Sequence, residues 1–352
     1  MMRKMSLLAG ACATATFLAA TPTLAVAGSA ARGADIVELP ISFQVTNSNN
    51  SKVACHSDGE NYTVKGTLVA PKAALKSGNA AMLYLHAVTW GAYYWQFKGV
   101  PGYDYAHQMA ERGHVSIAID RLGYGASGHP AGNDTCFGSE ADVAHQMVDD
   151  LKAGSYQLEA AKPTAFKKVF VGGASVGGMT THILAYSFHN IDGVFNMGWG
   201  DSVATPYTVG EVGDAYGRCL QGGDAGAPAN YAAFFKNTGD KFYFNNAEQQ
   251  VRNAVPELNA DPCGQLESIP PGIAADYQHL GEIDVPVLVM FGDADAVFGP
   301  HPFVIDHMAS RYTGSPSVTK SVIPGASHYP LVEATHMQVV EDVDAWLTRN
   351  GG

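Results

Sequence analysis

The chain has 352 residues, 46% of them hydrophobic, and carries 33 acidic against 21 basic residues for a formal net charge of −12. That balance excludes a protein that tracks nucleic acid, and the length suits one large domain carrying an insert. Five cysteines without C-x-x-C spacing also argue against a zinc site, so no metal is expected.

Arg3-Lys4 precede an apolar, alanine-rich run from Met5 to Ala20, and Ala25-Val26-Ala27 follows as a small-x-small cleavage site. The pattern predicts a secretory signal peptide over residues 1–27. The run is too short, and too broken by threonines and Pro22, for a membrane anchor. No later apolar run approaches spanning length, so no stable membrane insertion is expected. The protein is therefore expected outside the cytoplasm, secreted or periplasmic. Cleavage removes Cys12 and leaves Cys55, Cys136, Cys219 and Cys263, an even number that predicts two disulfides in an exported chain.

Ile36 to Thr46 and Tyr62 to Ala70 alternate as strands of a long hairpin, and Ala81 to His86 reads as a buried strand. The stretch Val88 to Phe97 then gathers Trp90, Tyr93, Tyr94 and Trp95, which we read as the walls of an aromatic cleft. Tyr103 to Arg112 is the next helix and Val115 to Ile119 the next strand, followed by Asp120 and Arg121 in a glycine-rich turn that they are expected to brace. Glu140 to Lys152 is helical, with Val143 and Met147 inward.

Lys168 to Met179 reads KVFVGGASVGGM: a β-branched and aromatic run, a glycine-rich turn around Ser175, then helical spacing through Met179, His182 and Ile183. A serine at a strand-to-helix turn of the G-x-S-x-G type sits in strained backbone with its hydroxyl lifted clear of the sheet. The first helical amide, that of Val176, points where an oxyanion would form. Val194 to Met197 is a further strand. The segment 203–278, rich in Gly, Ala, Tyr and Asn, is readable only as some helix in Ala232 to Phe235 and in Ala247 to Leu258. Val285 to Phe291 is an apolar strand that ends in Gly292-Asp293-Ala294-Asp295, and Ser321 to Ser327 leads into His328. Phe303 to Met308 and Glu333 to Leu347 are the last helices.

The order serine, aspartate, histidine, with Gly-x-x-Asp at Gly292 and Asp295 and Gly-x-x-His at Gly325 and His328, resembles the α/β-hydrolase superfamily, in particular its secreted, lid-bearing serine esterases and lipases. The resemblance implies a mostly parallel central sheet with helices on both faces, a core made of residues 28–202 and 279–352, and a cap over 203–278. It implies a triad of Ser175, Asp295 and His328. It also places the family's oxyanion loop on His86-Ala87-Val88, with Ala87 where a glycine is customary, so that the amides of Val88 and Val176 form the oxyanion hole. Two other aspartates compete for the acid: Asp201, after the strand ending at Met197, and Asp293. The four cysteines allow three pairings; the resemblance favours Cys55 with Cys136, and Cys219 with Cys263 would close the insert on itself.

These residues point to hydrolysis of a small-molecule or lipid-like carboxylic ester through an acyl-enzyme, with no metal or organic cofactor required. An amidase or peptidase with the same triad is the alternative within enzymes. A binding protein on this fold is the alternative outside them.

Overall fold

The computed structural model describes residues 35–352 apart from 203, 236–239 and 300. The expected signal peptide lies outside the described residues.

The first two strands, β1 (Ile36–Thr46) and β2 (Asn61–Pro71), form an antiparallel hairpin in which Thr46 faces Asn61. The period-two pattern of β1 turns Ile41, Phe43 and Val45 into the core. A short helix α1 (Lys72–Ser77) leads to β3 (Ala80–Leu85), then α2 (Tyr105–Glu111), β4 (Ser116–Ile119), α3 (Phe137–Ala153) and the two-residue edge strand β5 (Gln157–Leu158). Next come β6 (Lys168–Ala174), α4 (Val176–Phe188) and β7 (Gly193–Met197).

After β7 the chain leaves the sheet through α5 (Pro206–Cys219), β8 (Tyr231–Ala232), α6 (Asp240–Tyr243), α7 (Gln249–Ala254), β9 (Asp261–Pro262) and α8 (Cys263–His279). It returns as β10 (Val287–Gly292), α9 (Phe303–Arg311), β11 (Val318–Ile323) and α10 (His336–Asn350). The nine strands of the main sheet lie in the order β11-β10-β7-β6-β3-β4-β2-β1-β5. From β11 to β4 they run parallel. β6, β7 and β10 are buried almost throughout, as strands covered by helices on both faces must be, which is why they read as unbroken apolar runs. Among the described residues no helix is long and apolar enough to cross a membrane.

The excursion between β7 and β10 is the extended helical insertion of a capped α/β-hydrolase fold. Its interior differs from the sequence reading. Tyr231 and Ala232 are not helical but pair with Pro262 and Asp261 in a two-stranded ribbon. The helix expected over Ala247 to Leu258 shortens to α7, and the longest cap helix, α8, runs through Pro270-Pro271. Packing overrides the proline penalty there: Leu266, Gly272, Ala275 and Asp276 are buried, and a Cβ at Gly272 would lie 2.8 Å from the Met179 sulfur on α4. Two disulfides are present. Cys55–Cys136 ties the β1–β2 turn to the start of α3, and Cys219–Cys263 joins α5 to the start of α8.

Candidate active site

Ser175 sits between β6 and α4 with φ 52° and ψ −122°, a region that a residue with a Cβ enters only under constraint, at a cost of order 1–3 kcal/mol. Three contacts impose it. The Ser175 amide donates to Met197 O at 2.8 Å on β7, and the Ser175 carbonyl accepts from Gly178 N at 2.7 Å and from Met179 N at 3.3 Å. The flanking glycines are required by space. A Cβ at Gly173 would lie 2.0 Å from the Gly177 backbone, and one at Gly177 would lie 2.4 Å from Leu85 O and 2.9 Å from His86 O. The start of α4 is therefore pressed against the loop that leaves β3.

His328 follows β11 and lies at the same end of the sheet. Its Nδ1 is 2.8 Å from Asp295 Oδ2, and both side chains are fully buried. The other Asp295 oxygen accepts the amides of Val297 at 2.7 Å and Phe298 at 3.2 Å, which fixes the carboxylate plane. Gly198, at φ 75°, clears space for the imidazole: a Cβ there would come within 3.3 Å of the ring. His328 Nε2 is buried and has no hydrogen-bond partner among the described residues.

Asp201 is engaged elsewhere, with His307 Nε2 at 2.8 Å and Arg311 Nε at 3.4 Å. Asp293 accepts the Gly325 amide at 2.6 Å, bracing the loop that leads to His328. A second buried pair, Asp276 Oδ2 and His182 Nδ1 at 3.1 Å, is closed at its far end because His182 Nε2 lies 2.7 Å from the Tyr312 hydroxyl. Both nitrogens of His182 are thus committed to structure.

The loop after β3 is set from two sides. His86 Nε2 accepts the Arg121 amide at 3.1 Å, so its proton resides on Nδ1, which donates to Ala87 O at 2.8 Å. Burial, with the Arg121 guanidinium nearby, holds this imidazole well below its usual pKa and hence neutral. Ala87 O and the Val88 N–H belong to one trans peptide plane and point in opposite directions, so anchoring the carbonyl aims the amide. Arg121 pairs with Glu140 of α3, and Asp120 accepts the amides of Ala92 at 2.8 Å and Ala126 at 3.1 Å. Both act as braces of the turn, the role expected for them.

The four rings expected to wall a cleft do not share one surface. Trp95 is turned into the core against Tyr84, Tyr105 and Phe195, which corrects that expectation for this residue. Tyr94 is fully buried, stacked edge-on to Trp90, Trp95 and Tyr329. Trp90 is also fully buried, with its ring 5.2 Å from that of Tyr329, which follows His328, and Tyr93 is half-buried beside it. Such dense packing follows from the loop lying beneath the cap, where large rings fill volume.

Sequence reasoning missed the groups that bind the cap to this site. Glu333, fully buried, accepts the amides of Ser327 at 2.9 Å, Asn245 at 2.6 Å and Asn246 at 2.9 Å, tying the histidine loop to the cap. Asp261, also fully buried, accepts the Thr89 amide at 2.6 Å, the Tyr124 hydroxyl at 2.7 Å and the Phe234 amide at 3.0 Å. Burial pushes its carboxyl up to about 6. The contacts of Glu333 with Asn245 and Asn246 and of Asp261 with Thr89 and Tyr124 span 87 to 172 positions, which leaves no local signal for them.

Residues 82–343 match the profile of the alpha/beta hydrolase family. No curated protein sequence matches the chain. Among solved structures, the fold is similar to a monoglyceride lipase from Saccharomyces cerevisiae (TM-score 0.60, 16% identity, 88% of this chain and 97% of that one). It is similar to a monoacylglycerol lipase from Paleococcus ferrophilus (0.57, 16%, 76% and 94%). It also resembles a thermophilic esterase from Thermogutta terrifontis (0.56, 17%, 88% and 100%). With a strained serine between strand and helix, a histidine held by an aspartate at the same sheet end, and a family profile that covers most of its length, the chain belongs to the alpha/beta hydrolase family.

Proposed function

We propose that this protein is an exported serine hydrolase that cleaves carboxylic esters of small or lipid-like molecules, with Ser175 as nucleophile, His328 as base and Asp295 as the acid that orients it. In this reading His328 Nε2 takes the Ser175 proton as the hydroxyl oxygen attacks the ester carbonyl. The amides of Val88 and Val176 then stabilise the oxyanion. His328 protonates the departing alcohol and next activates water, which releases the acid and restores the serine.

One observation carries the reading: the Asp295–His328 pair leaves its outer nitrogen uncommitted at the sheet end where Ser175 is held in strained backbone. The similar folds of two monoacylglycerol lipases and an esterase support the ester class, and two disulfides support export from the cytoplasm. The test is release of p-nitrophenol from short and long acyl esters beside release of p-nitroaniline from matching anilides, by wild type and Ser175→Ala. Ester turnover that vanishes in the variant supports the reading. Preference for the anilides moves the activity to amides, and turnover retained by Ser175→Ala overturns the nucleophile.

A further inference from the structure

We propose that Asp261 and Asn259 of the cap act as a clamp that positions the loop carrying the second oxyanion donor. This rests on the reading of Ser175 as nucleophile and Val88 as that donor. Thr89, the residue after Val88, is β-branched yet sits at φ 64°, a left-handed conformation that such a side chain disfavours. Both of its peptide groups are held by the cap. Its N–H donates to Asp261 Oδ1 at 2.6 Å, and its carbonyl accepts from Asn259 N at 2.7 Å and Asn259 Nδ2 at 3.3 Å. Asn259 Nδ2 also reaches Trp90 O at 3.1 Å. Rotation at φ and ψ of Val88 sets the Val88 amide against the Val88–Thr89 peptide, and these contacts hold that peptide as the fixed side of the hinge.

The placement of Asp261 is costly for stability alone. It is fully buried, and the nearby cation, Arg121, is already paired with Glu140. Its oxygens are matched instead by Thr89 N, Tyr124 Oη and Phe234 N, donors from the loop, the core and the cap. Tyr124 Oη also lies 2.8 Å from Gln265 Oε1, so its single proton is shared between Asp261 and Gln265, and Gln265 Nε2 donates to Glu140 at 2.6 Å, so α3, α8 and the loop share one buried network. Asp261 itself is held in register by the β8–β9 ribbon, two residues before the Cys219–Cys263 disulfide. A buried carboxylate maintained against the backbone beside an oxyanion loop is placed where it sets geometry for chemistry. Among the described residues, the hydrogen bonds that hold the Thr89 backbone in its left-handed conformation come from the cap.

Asp261 and Asn259 do not touch the reacting atoms and are positioning residues, which dictates the test. The full-length protein is compared with Asp261→Asn, which puts an amide donor against Thr89 N or Phe234 N, and with Asn259→Ala. Active sites are counted by burst titration with a p-nitrophenyl ester, and affinity is measured for a trifluoromethyl ketone, whose adduct with serine places an oxyanion in the hole. Turnover per active site in Asp261→Asn is expected to fall about 10²-fold with KM changed less than about threefold, and ketone affinity to fall by a similar factor. Asn259→Ala is expected to show the same split at about tenfold. A merely structural role lowers the number of active sites and leaves turnover per site and ketone affinity intact. That result in both variants, with Ser175→Ala inactive, overturns the clamp and leaves the site reading standing. Should Asp261→Asn not fold, Asn259→Ala decides by the same readouts. Turnover retained by Ser175→Ala overturns the site reading and the clamp with it.

Discussion

Replacing Asp295 by asparagine tests the candidate triad at its best-defined contact. The carboxylate is held on both sides, with Oδ1 on the amides of Val297 and Phe298 and Oδ2 against His328 Nδ1 at 2.8 Å. Asparagine offers one acceptor where two are used. With its oxygen on the two amides, its NH₂ faces Nδ1, and the imidazole must then carry its proton on Nε2, where it cannot accept one from Ser175. Turning the amide over restores the working tautomer but strands two buried backbone N–H groups, at about 1–3 kcal/mol each. The working orientation therefore lies about 2–6 kcal/mol uphill, and turnover should fall between about 30-fold and about 10⁴-fold. The assay is p-nitrophenyl ester turnover per titrated active site, with circular dichroism to confirm folding. Asp201→Asn is the control; its carboxylate serves His307 and Arg311, and turnover should stay within about threefold of wild type. If Asp295→Asn keeps near wild-type turnover while a folded Asp201→Asn collapses, the acid is Asp201 and the reasoning fails.

Ser175→Ala should fold like the wild type and lose covalent labelling by a fluorophosphonate; labelling at the wild-type rate would remove Ser175 from the mechanism. Gly177→Ala drives a Cβ to 2.4 Å from Leu85 O, so the loop after β3 must shift, and ester turnover should drop at least about 10²-fold with a loss of about 1–3 kcal/mol in denaturant unfolding. Serine at both Cys219 and Cys263 releases a link spanning 44 positions, worth up to about 4 kcal/mol by restriction of the unfolded chain, and an unchanged urea midpoint would contradict this. Asp261 binds its proton more tightly folded, at about 6, than unfolded, near 3.8. Its contribution to stability is therefore greatest below the unfolded value and declines as pH rises through 4 to 6, by about 3 kcal/mol. The pH dependence of urea unfolding should lose that decline in Asp261→Leu, which cannot titrate.

Much of this molecule is written locally. The glycines around Ser175, the apolar run of β10 and the alternation of β1 each dictate backbone conformation or face within a few residues, so the strand-turn-helix around the serine was legible without coordinates, whereas the class of the fold came from the family resemblance. Gly292 and Gly325 were readable only as the glycines of Gly-x-x-Asp and Gly-x-x-His, and the approach of their two loops is a finding of the structure. A Cβ at Gly292 would lie 2.2 Å from Ala326 O, and that proximity sets Asp295 beside His328.

What the sequence could not express was decided by contacts between distant segments. Alternation in an extended segment is consistent with either Asp293 or Asp295 as the acid. In the structure Asp293 accepts the Gly325 amide and Asp201 meets His307, while Asp295 is the aspartate against His328 Nδ1. Trp95 and Trp90 are the same residue type five positions apart, yet one fills the core and the other reaches the ring beside His328, because neighbours brought by other elements choose their directions. α8 persists through two prolines because its buried face meets α4. Asp261 acquires its place beside the loop after β3 only when the cap folds over Thr89, a contact spanning 172 positions. Local backbone preference acts within a turn or two of chain, whereas burial and hydrogen-bond matching act in space. The serine elbow was therefore legible in the sequence, and the contacts by which the cap holds Thr89 were not.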